Sequence, residues 1–114
     1  MEDCIFCKIV KGEIPSKKLY EDEEVLAFYD VNPEAPVHFL VVPKKHIQSV
    51  SEINEKNADV ISHIFVVISK IAKELNIDKD GYRVISNVGD NGGQSVKHIH
   101  FHVLGGRKLE LKLG

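Results

Sequence analysis

His98, His100 and His102 stand at every second position of the run Lys97-His98-Ile99-His100-Phe101-His102-Val103-Leu104. Side chains alternate between faces along a strand, so this spacing predicts a strand with three imidazoles on one side and Ile99, Phe101 and Val103 on the other. A single histidine on a strand is ordinarily a hydrogen-bonded structural residue. Three in register crowd one another and resist joint protonation near neutral pH, which suits metal binding, proton transfer or nucleophilic attack by a neutral imidazole. The run Asn87-Val88-Gly89-Asp90-Asn91-Gly92-Gly93-Gln94-Ser95 precedes them, with three glycines that permit positive φ and close backbone approach. Such a loop can present N–H groups to an anion, and it is also what an ordinary turn looks like.

The two cysteines form a second group, Cys4-Ile5-Phe6-Cys7. A Cys-x-x-Cys pair without a secretory context suggests metal binding or thiol redox chemistry rather than a structural disulfide. A thioredoxin-like pair would follow a strand and open a longer helix, whereas this one stands before any predicted strand. Zinc takes four ligands, and His46 and His98 are candidates to complete the set with Cys4 and Cys7. Two free buried thiols are the competing reading.

The elements that must position these residues follow from pattern and punctuation. Ile5, Phe6, Ile9 and Val10 recur at helical spacing and predict a short helix over residues 5–11, ending near Gly12. Strands over 19–21 and 25–30 flank the acidic turn Glu21-Asp22-Glu23-Glu24, and Pro33 and Pro36 make residues 30–36 a loop. The continuous apolar run 37–42 predicts a central strand that carries a partly buried His38 in need of a partner. A long helix is predicted over 55–76, capped by Asn54 or Ser51, with a turn over 78–81 and a strand over 82–86 behind it. Ile61, Ile64, Phe65, Ile68, Ile71, Ala72 and Leu75 form its stripe, and Val60 and Val67 widen it. The second flank of Val60, Ile64, Val67 and Ile71 suggests self-association, and a broad stripe sunk into the sheet would look the same. The alternating tail 108–113 predicts an edge strand or a docking arm.

The length of the chain makes the whole one domain spanning 1–114. Its 43% hydrophobic and 28% charged residues mark a soluble globular chain, and a net charge of −2 gives no electrostatic footprint for nucleic acid. Met1-Glu2-Asp3 lacks the basic and apolar regions of a signal peptide, and no run reaches the ~20 apolar residues of a membrane span. A cytoplasmic location with no membrane partner is expected.

Together, Gly93-Gln94-Ser95-Val96-Lys97-His98-Ile99-His100-Phe101-His102-Val103-Leu104-Gly105-Gly106 resembles the signature of the histidine triad nucleotide-binding hydrolases. The likeness runs from Cys4 to Arg107 through Ile14-Pro15, Leu26-Ala27-Phe28-Tyr29-Asp30, Ala35-Pro36-Val37-His38 and Pro43-Lys44-Lys45-His46, and is nearest to the nucleoside phosphoramidate hydrolase branch. The resemblance implies an α+β fold, with an antiparallel sheet of about five strands, one long helix and a short N-terminal helix, and a homodimer through the long helix. It implies that His100 attacks the α-phosphorus of a purine nucleotide derivative of AMP or GMP, leaving a nucleotidyl-histidine that water hydrolyses. His38 would orient His100 through its other ring nitrogen, His102 and Ser95 would contact the phosphate, and Asn87, Gly93 and Gln94 would line the phosphate end. Asp30 would hold the ribose hydroxyls, and Phe6, Ile9, Ile14, Phe28 and Val31 would form a slot for the base. Some bacterial members also bind structural zinc through residues matching Cys4, Cys7, His46 and His98; no catalytic metal is implied. The chain departs from that branch in ending Leu109-Glu110-Leu111-Lys112-Leu113-Gly114 where many members end in a tryptophan-proline-proline tail. Two other readings stay open: a nucleotide-binding regulatory module acting through protein partners, and a histidine row that itself holds a catalytic metal.

Overall fold

The computed structural model describes residues 4–113, so the reading of Met1-Glu2-Asp3 falls outside the described residues. The order is α1 (Ile5–Val10), β1 (Lys18–Glu21), β2 (Val25–Tyr29), β3 (Val37–Pro43), α2 (Ala58–Glu74), β4 (Arg83–Ile85) and β5 (Phe101–Gly105), with a 3₁₀ turn at Val50–Glu52 before α2. The strands form one antiparallel sheet in the order β1-β2-β3-β5-β4. The continuously apolar β3 therefore lies at the centre, covered on both faces.

Period-two alternation divides the side chains between those faces. Ala27, Phe39, Val41, Ile99, Phe101 and Val103 point toward α2, where they pack with Ile64, Val67, Ile68, Ile71 and Ala72. Leu26, Phe28, Leu40 and Val42 point the other way and pack with Phe6 and Ile9 of α1. His38, His100 and His102 share this second face, because each is one position removed from a residue of the first, Phe39, Phe101 or Val103. No helix among the described residues is long and apolar enough to cross a membrane.

Four expectations are corrected. The flank assigned to self-association is core: Ile64, Val67 and Ile71 are at most 1% exposed, while the apolar surface of α2 is Phe65 and Val66, at 47% and 62%. The helix starts at Ala58 rather than 55, because Asn54 closes a preceding turn: its side chain accepts from Lys56 N–H and its carbonyl from Asn57 N–H. Ser51 lies in the 3₁₀ turn, and Asn57 takes the N-cap position without a side-chain cap bond. Lastly, the tail 108–113 joins no strand, and Leu111 and Leu113 are exposed.

The histidine strand also begins later than its alternation predicts, at Phe101. Ladder bonds are replaced ahead of it: Ile99 N–H donates to the Ile47 carbonyl at 2.6 Å, the His98 carbonyl accepts from a side chain, and the His100 carbonyl accepts from Ser86 Oγ at 2.9 Å. The backbone stays extended enough to keep the two-residue alternation, but its partners are a loop and side chains. His98 and His100 consequently sit in the interior, at 0% and 4% exposure, rather than on an open imidazole face.

Candidate active site

A cleft of about 310 Å³ opens between α1 and the second face of the sheet. Its apolar wall comes from Phe6 and Ile9 of α1, Ile14, Phe28, Val31 and Leu40, and its polar end from Asp30, Ser95, His100 and His102. Phe6 sets the geometry of the wall, meeting Phe28 edge-on at 5.7 Å and His100 at 4.9 Å between ring centroids. Among the expected site residues, His38, Asn87, Gly93 and Gln94 do not line it, His38 standing behind His102. Residues that sequence reasoning missed do: Ile5, Pro15, Ser16, Tyr29, Asn32, Leu40 and Val96. Leu40 carried a usable signal, since it lies two positions beyond His38 on a strand and must share its face.

The loop ahead of the histidines is built for its own closure. Gln94 is buried, and its side chain accepts from Gly89 N–H at 2.9 Å and donates to the carbonyls of Gln48 and Val96 at 2.7 and 3.0 Å. Gly93 N–H and Gln94 N–H are bonded to the carbonyls of Asp90 and Gly89. A side chain at Gly92 would overlap the Val88 carbonyl, and Gly93 holds φ +76°, so both glycines are required by the tight turn. Gly93 and Gln94, expected at the phosphate end, instead have these polar groups bonded within the loop, which delivers Ser95 to the cleft.

Three hydrogen bonds fix the histidine tautomers, because backbone N–H groups only donate and carbonyls only accept. Nδ1 of His100 lies 2.7 Å from the His98 carbonyl, so Nδ1 carries the proton and Nε2 keeps a bare lone pair. Nδ1 of His38 accepts from Glu34 N–H at 3.0 Å, so the proton of His38 is on Nε2, 3.0 Å from His102 Nδ1. His102 therefore accepts through Nδ1 and carries its proton on Nε2. The cleft thus holds two adjacent imidazoles of opposite polarity, a lone pair on His100 and an N–H on His102. This corrects the expectation that His38 orients His100: the His98 carbonyl does so, and His38 sets His102, because β3–β5 pairing places Leu40 opposite His102 and leaves His38 on its diagonal.

Burial lowers the pKa of His100, and burial followed by repulsion from His100 and His38 pushes His102 down to about 4, so both are neutral at pH 7. Asp30 accepts from Asn32 N–H through Oδ1 at 2.8 Å, and its Oδ2 stands 3.4 Å from His38 Nε2 and 3.9 Å from His102 Nδ1. Asp30, His38 and His102 are spaced as three metal ligands could be. The Glu34 N–H argues against it, since it holds His38 in the tautomer whose Nε2 has no lone pair to give.

The cluster of Cys4, Cys7, His46 and His98 is different. Cys4 Sγ lies 3.3 Å from His98 Nδ1, Cys7 Sγ 3.3 Å from His46 Nδ1 and 3.5 Å from His98 Nδ1, and the two Nδ1 atoms are 3.2 Å apart. Nε2 of His98 donates to the Pro43 carbonyl at 2.8 Å, which leaves Nδ1 as the lone pair aimed at the thiols. Burial pushes His98 down to about 4 and lowers His46, so both imidazoles are in the ligating form, while burial raises the Cys7 thiol and a cation would be needed to hold it as thiolate. Donor type, tautomer and spacing all fit a four-coordinate metal.

A model of the HIT (histidine triad) domain matches residues 11–109. The chain belongs to the HIT domain family. A HIT-like protein of Buchnera aphidicola subsp. Baizongia pistaciae is 51% identical over 105 residues, covering 92% of this chain and 94% of its own. The structure of a histidine triad protein from Clostridium difficile superposes with a TM-score of 0.96 at 59% identity, over 99% of this chain and 98% of that one. A HIT family hydrolase from Clostridium thermocellum superposes at 0.97 with 50% identity, over the same shares. The HIT fold accounts for the mixed architecture, the five-stranded sheet and the single long helix, and this HIT chain shares it with proteins described as hydrolases.

Proposed function

We propose that this HIT protein is a nucleotide-binding hydrolase of purine nucleoside phosphoramidates and related nucleotidyl esters or amides. The observation that carries the reading is the pairing in one cleft of His100 Nε2 as a bare lone pair with His102 Nε2 as a donor, both neutral. In this reading the base lies in the slot of Phe6, Ile9, Ile14, Phe28 and Val31, which a purine fills by area, and Oδ2 of Asp30 receives a ribose hydroxyl. The His100 lone pair attacks the α-phosphorus, the bond from phosphorus to the leaving nitrogen or oxygen breaks with its electron pair, and the leaving group takes up a proton. His102 Nε2–H and the Ser95 region hold the phosphate oxygens, whose charge grows in the transition state. Water then attacks the same phosphorus, the bond to Nε2 breaks, and neutral His100 is restored with release of the nucleotide.

Incubation with adenosine 5′-phosphoramidate should release AMP and leave a nucleotidyl adduct in intact mass spectra recorded without acid. Absence of both AMP release and adduct would sink the proposal. The pH profile gives a second check. A lowered pKa on a base means that the neutral form persists below the ordinary value of 6.5, so the acid limb of kcat/KM belongs below 6.5. Stability should decline over the same window, because the unfolded chain takes up these protons near 6.5 while the folded chain resists them. An acid limb at or above 6.5 would contradict the neutral state assigned to the two imidazoles at pH 7.

The four-ligand cluster is proposed as a structural zinc site, which thiolate and neutral imidazole favour. A homodimer through α2 is proposed on the exposed pair Phe65 and Val66, flanked by Ser62, Ser69 and Lys73. Val66→Asp should give monomers in light scattering with the core intact, since this side chain is 62% exposed, and dimers of unchanged affinity would count against the interface.

A further inference from the structure

The metal cluster and the substrate cleft share one mechanical element. Helix α1 has six residues, too few to hold its shape unaided. Cys4 is its N-cap and Cys7 lies in its first turn, and both thiols face His46 and His98 on the body of the fold. Phe6, between the two cysteines, and Ile9 form the cleft wall, and Phe6 stands against both His98 and His100. His98 adds a second link, since its side chain belongs to the cluster and its carbonyl fixes the tautomer of His100. Cys4 is partly exposed, so a small oxidant can reach the cluster from solvent.

We infer that the cluster is a thiol redox switch on the nucleotide slot: a peroxide-type oxidant joins Cys4 to Cys7, expels the metal, and frees α1 from the wall it forms. This rests on the nucleotide reading of the cleft. The chemistry balances with hydrogen peroxide as the oxidant. One thiolate attacks a peroxide oxygen and becomes a sulfenic acid as hydroxide leaves; the second thiolate displaces hydroxide from that sulfur. Two electrons pass from sulfur to peroxide, two protons complete two waters, one S–S bond forms and both metal–sulfur bonds break. His46 and His98 alone then leave the metal with half of its ligands, and it is lost to solvent. With its tether gone, α1 is held by the apolar packing of Phe6, Ile9 and Val10.

The test uses the full chain loaded with one zinc ion under reducing conditions, then exposed to hydrogen peroxide. Zinc release is followed with a colorimetric chelator, thiols by titration, α1 by hydrogen exchange of residues 5–11, and the slot by calorimetric binding of AMP. The expected result is loss of two thiols per zinc released, at least tenfold faster exchange across residues 5–11 and at least tenfold weaker AMP binding, all reversed by dithiothreitol with zinc. The double variant Cys4→Ser with Cys7→Ser should show the fast exchange without peroxide and no response to it. Zinc release with unchanged exchange and unchanged AMP affinity would overturn the switch, as would retention of zinc after both thiols are lost. If the loaded, reduced protein binds no AMP, the nucleotide reading fails, and the exchange of residues 5–11 still decides whether the cluster tethers α1.

Discussion

His100→Ala is expected to abolish the nucleotidyl adduct and to reduce turnover of adenosine 5′-phosphoramidate by on the order of 10⁴-fold or more. The size follows from the loss of the nucleophile itself rather than of a group that tunes it. His100 Nε2 is the bare ring nitrogen in the cleft, held in that state by the His98 carbonyl at 2.7 Å, whereas His102 has its lone pair engaged with His38. AMP affinity should change by only a few-fold, because Asp30, Phe28, Ile9 and Ile14 are untouched, although Phe6 loses its edge contact with the ring. His102→Ala should behave differently, forming the adduct slowly because a phosphate donor is lost while the nucleophile stays. Circular dichroism melting of each variant separates a chemical loss from a folding loss. An adduct mapped to His102, or near wild-type turnover in His100→Ala, would reverse the roles assigned to these two histidines.

Stripping zinc from the proposed site of Cys4, Cys7, His46 and His98 is expected to lower stability by several kcal/mol, of the order of a large core truncation. Protein purified without chelator is expected to carry close to one zinc per chain by elemental analysis, and Cys7→Ser should carry little. A ligand that binds only the folded state adds about 4 kcal/mol when present at 1,000 times its Kd, which for a chain of this length corresponds to a fall in Tm on the order of 10–20 °C when it is stripped. The physical basis is the buried donor set: two neutral imidazoles with Nδ1 atoms 3.2 Å apart and a Cys7 thiol whose pKa burial raises are held together most favourably by a shared cation. A metal-free preparation with the same Tm as a zinc-supplemented one would remove the site from the account.

Much of this protein can be read without coordinates. Alternation in 98–104 places His98, His100 and His102 on one side of the chain and Ile99, Phe101 and Val103 on the other, because successive side chains of an extended backbone point in opposite directions; the pairing of β3 with β5 then brings His38 to the side of His100 and His102. The spacing of Cys4 and Cys7 sets two thiols on one side of a short helix, and the prolines at 33 and 36 end β2 before the loop that carries Glu34. These are local properties of the backbone, and pattern reports them faithfully.

The rest depends on which chain-distant atoms meet. The apolar flank of α2 cannot be assigned to core or surface from its sequence, since an amphipathic pattern gives the direction in which a helix faces and not the depth to which the sheet receives it; Val67 is buried and Val66 exposed. Gln94 reads as a donor for phosphate until folding places the Gln48 carbonyl beside it, 46 residues away in sequence. The same holds for the chemistry of the triad. Three histidines at alternate positions are equivalent in the sequence, and they acquire distinct roles only because His98 meets Pro43, Cys4 and Cys7, His100 meets the His98 carbonyl, and His102 meets a His38 whose proton is placed by Glu34 N–H. The sequence determined that imidazoles and thiols would be present and that alternate histidines would share one side of their strand; the tertiary structure decided which nitrogen of each carries the proton, because a tautomer is set by its hydrogen-bond partner and that partner is brought in by the fold.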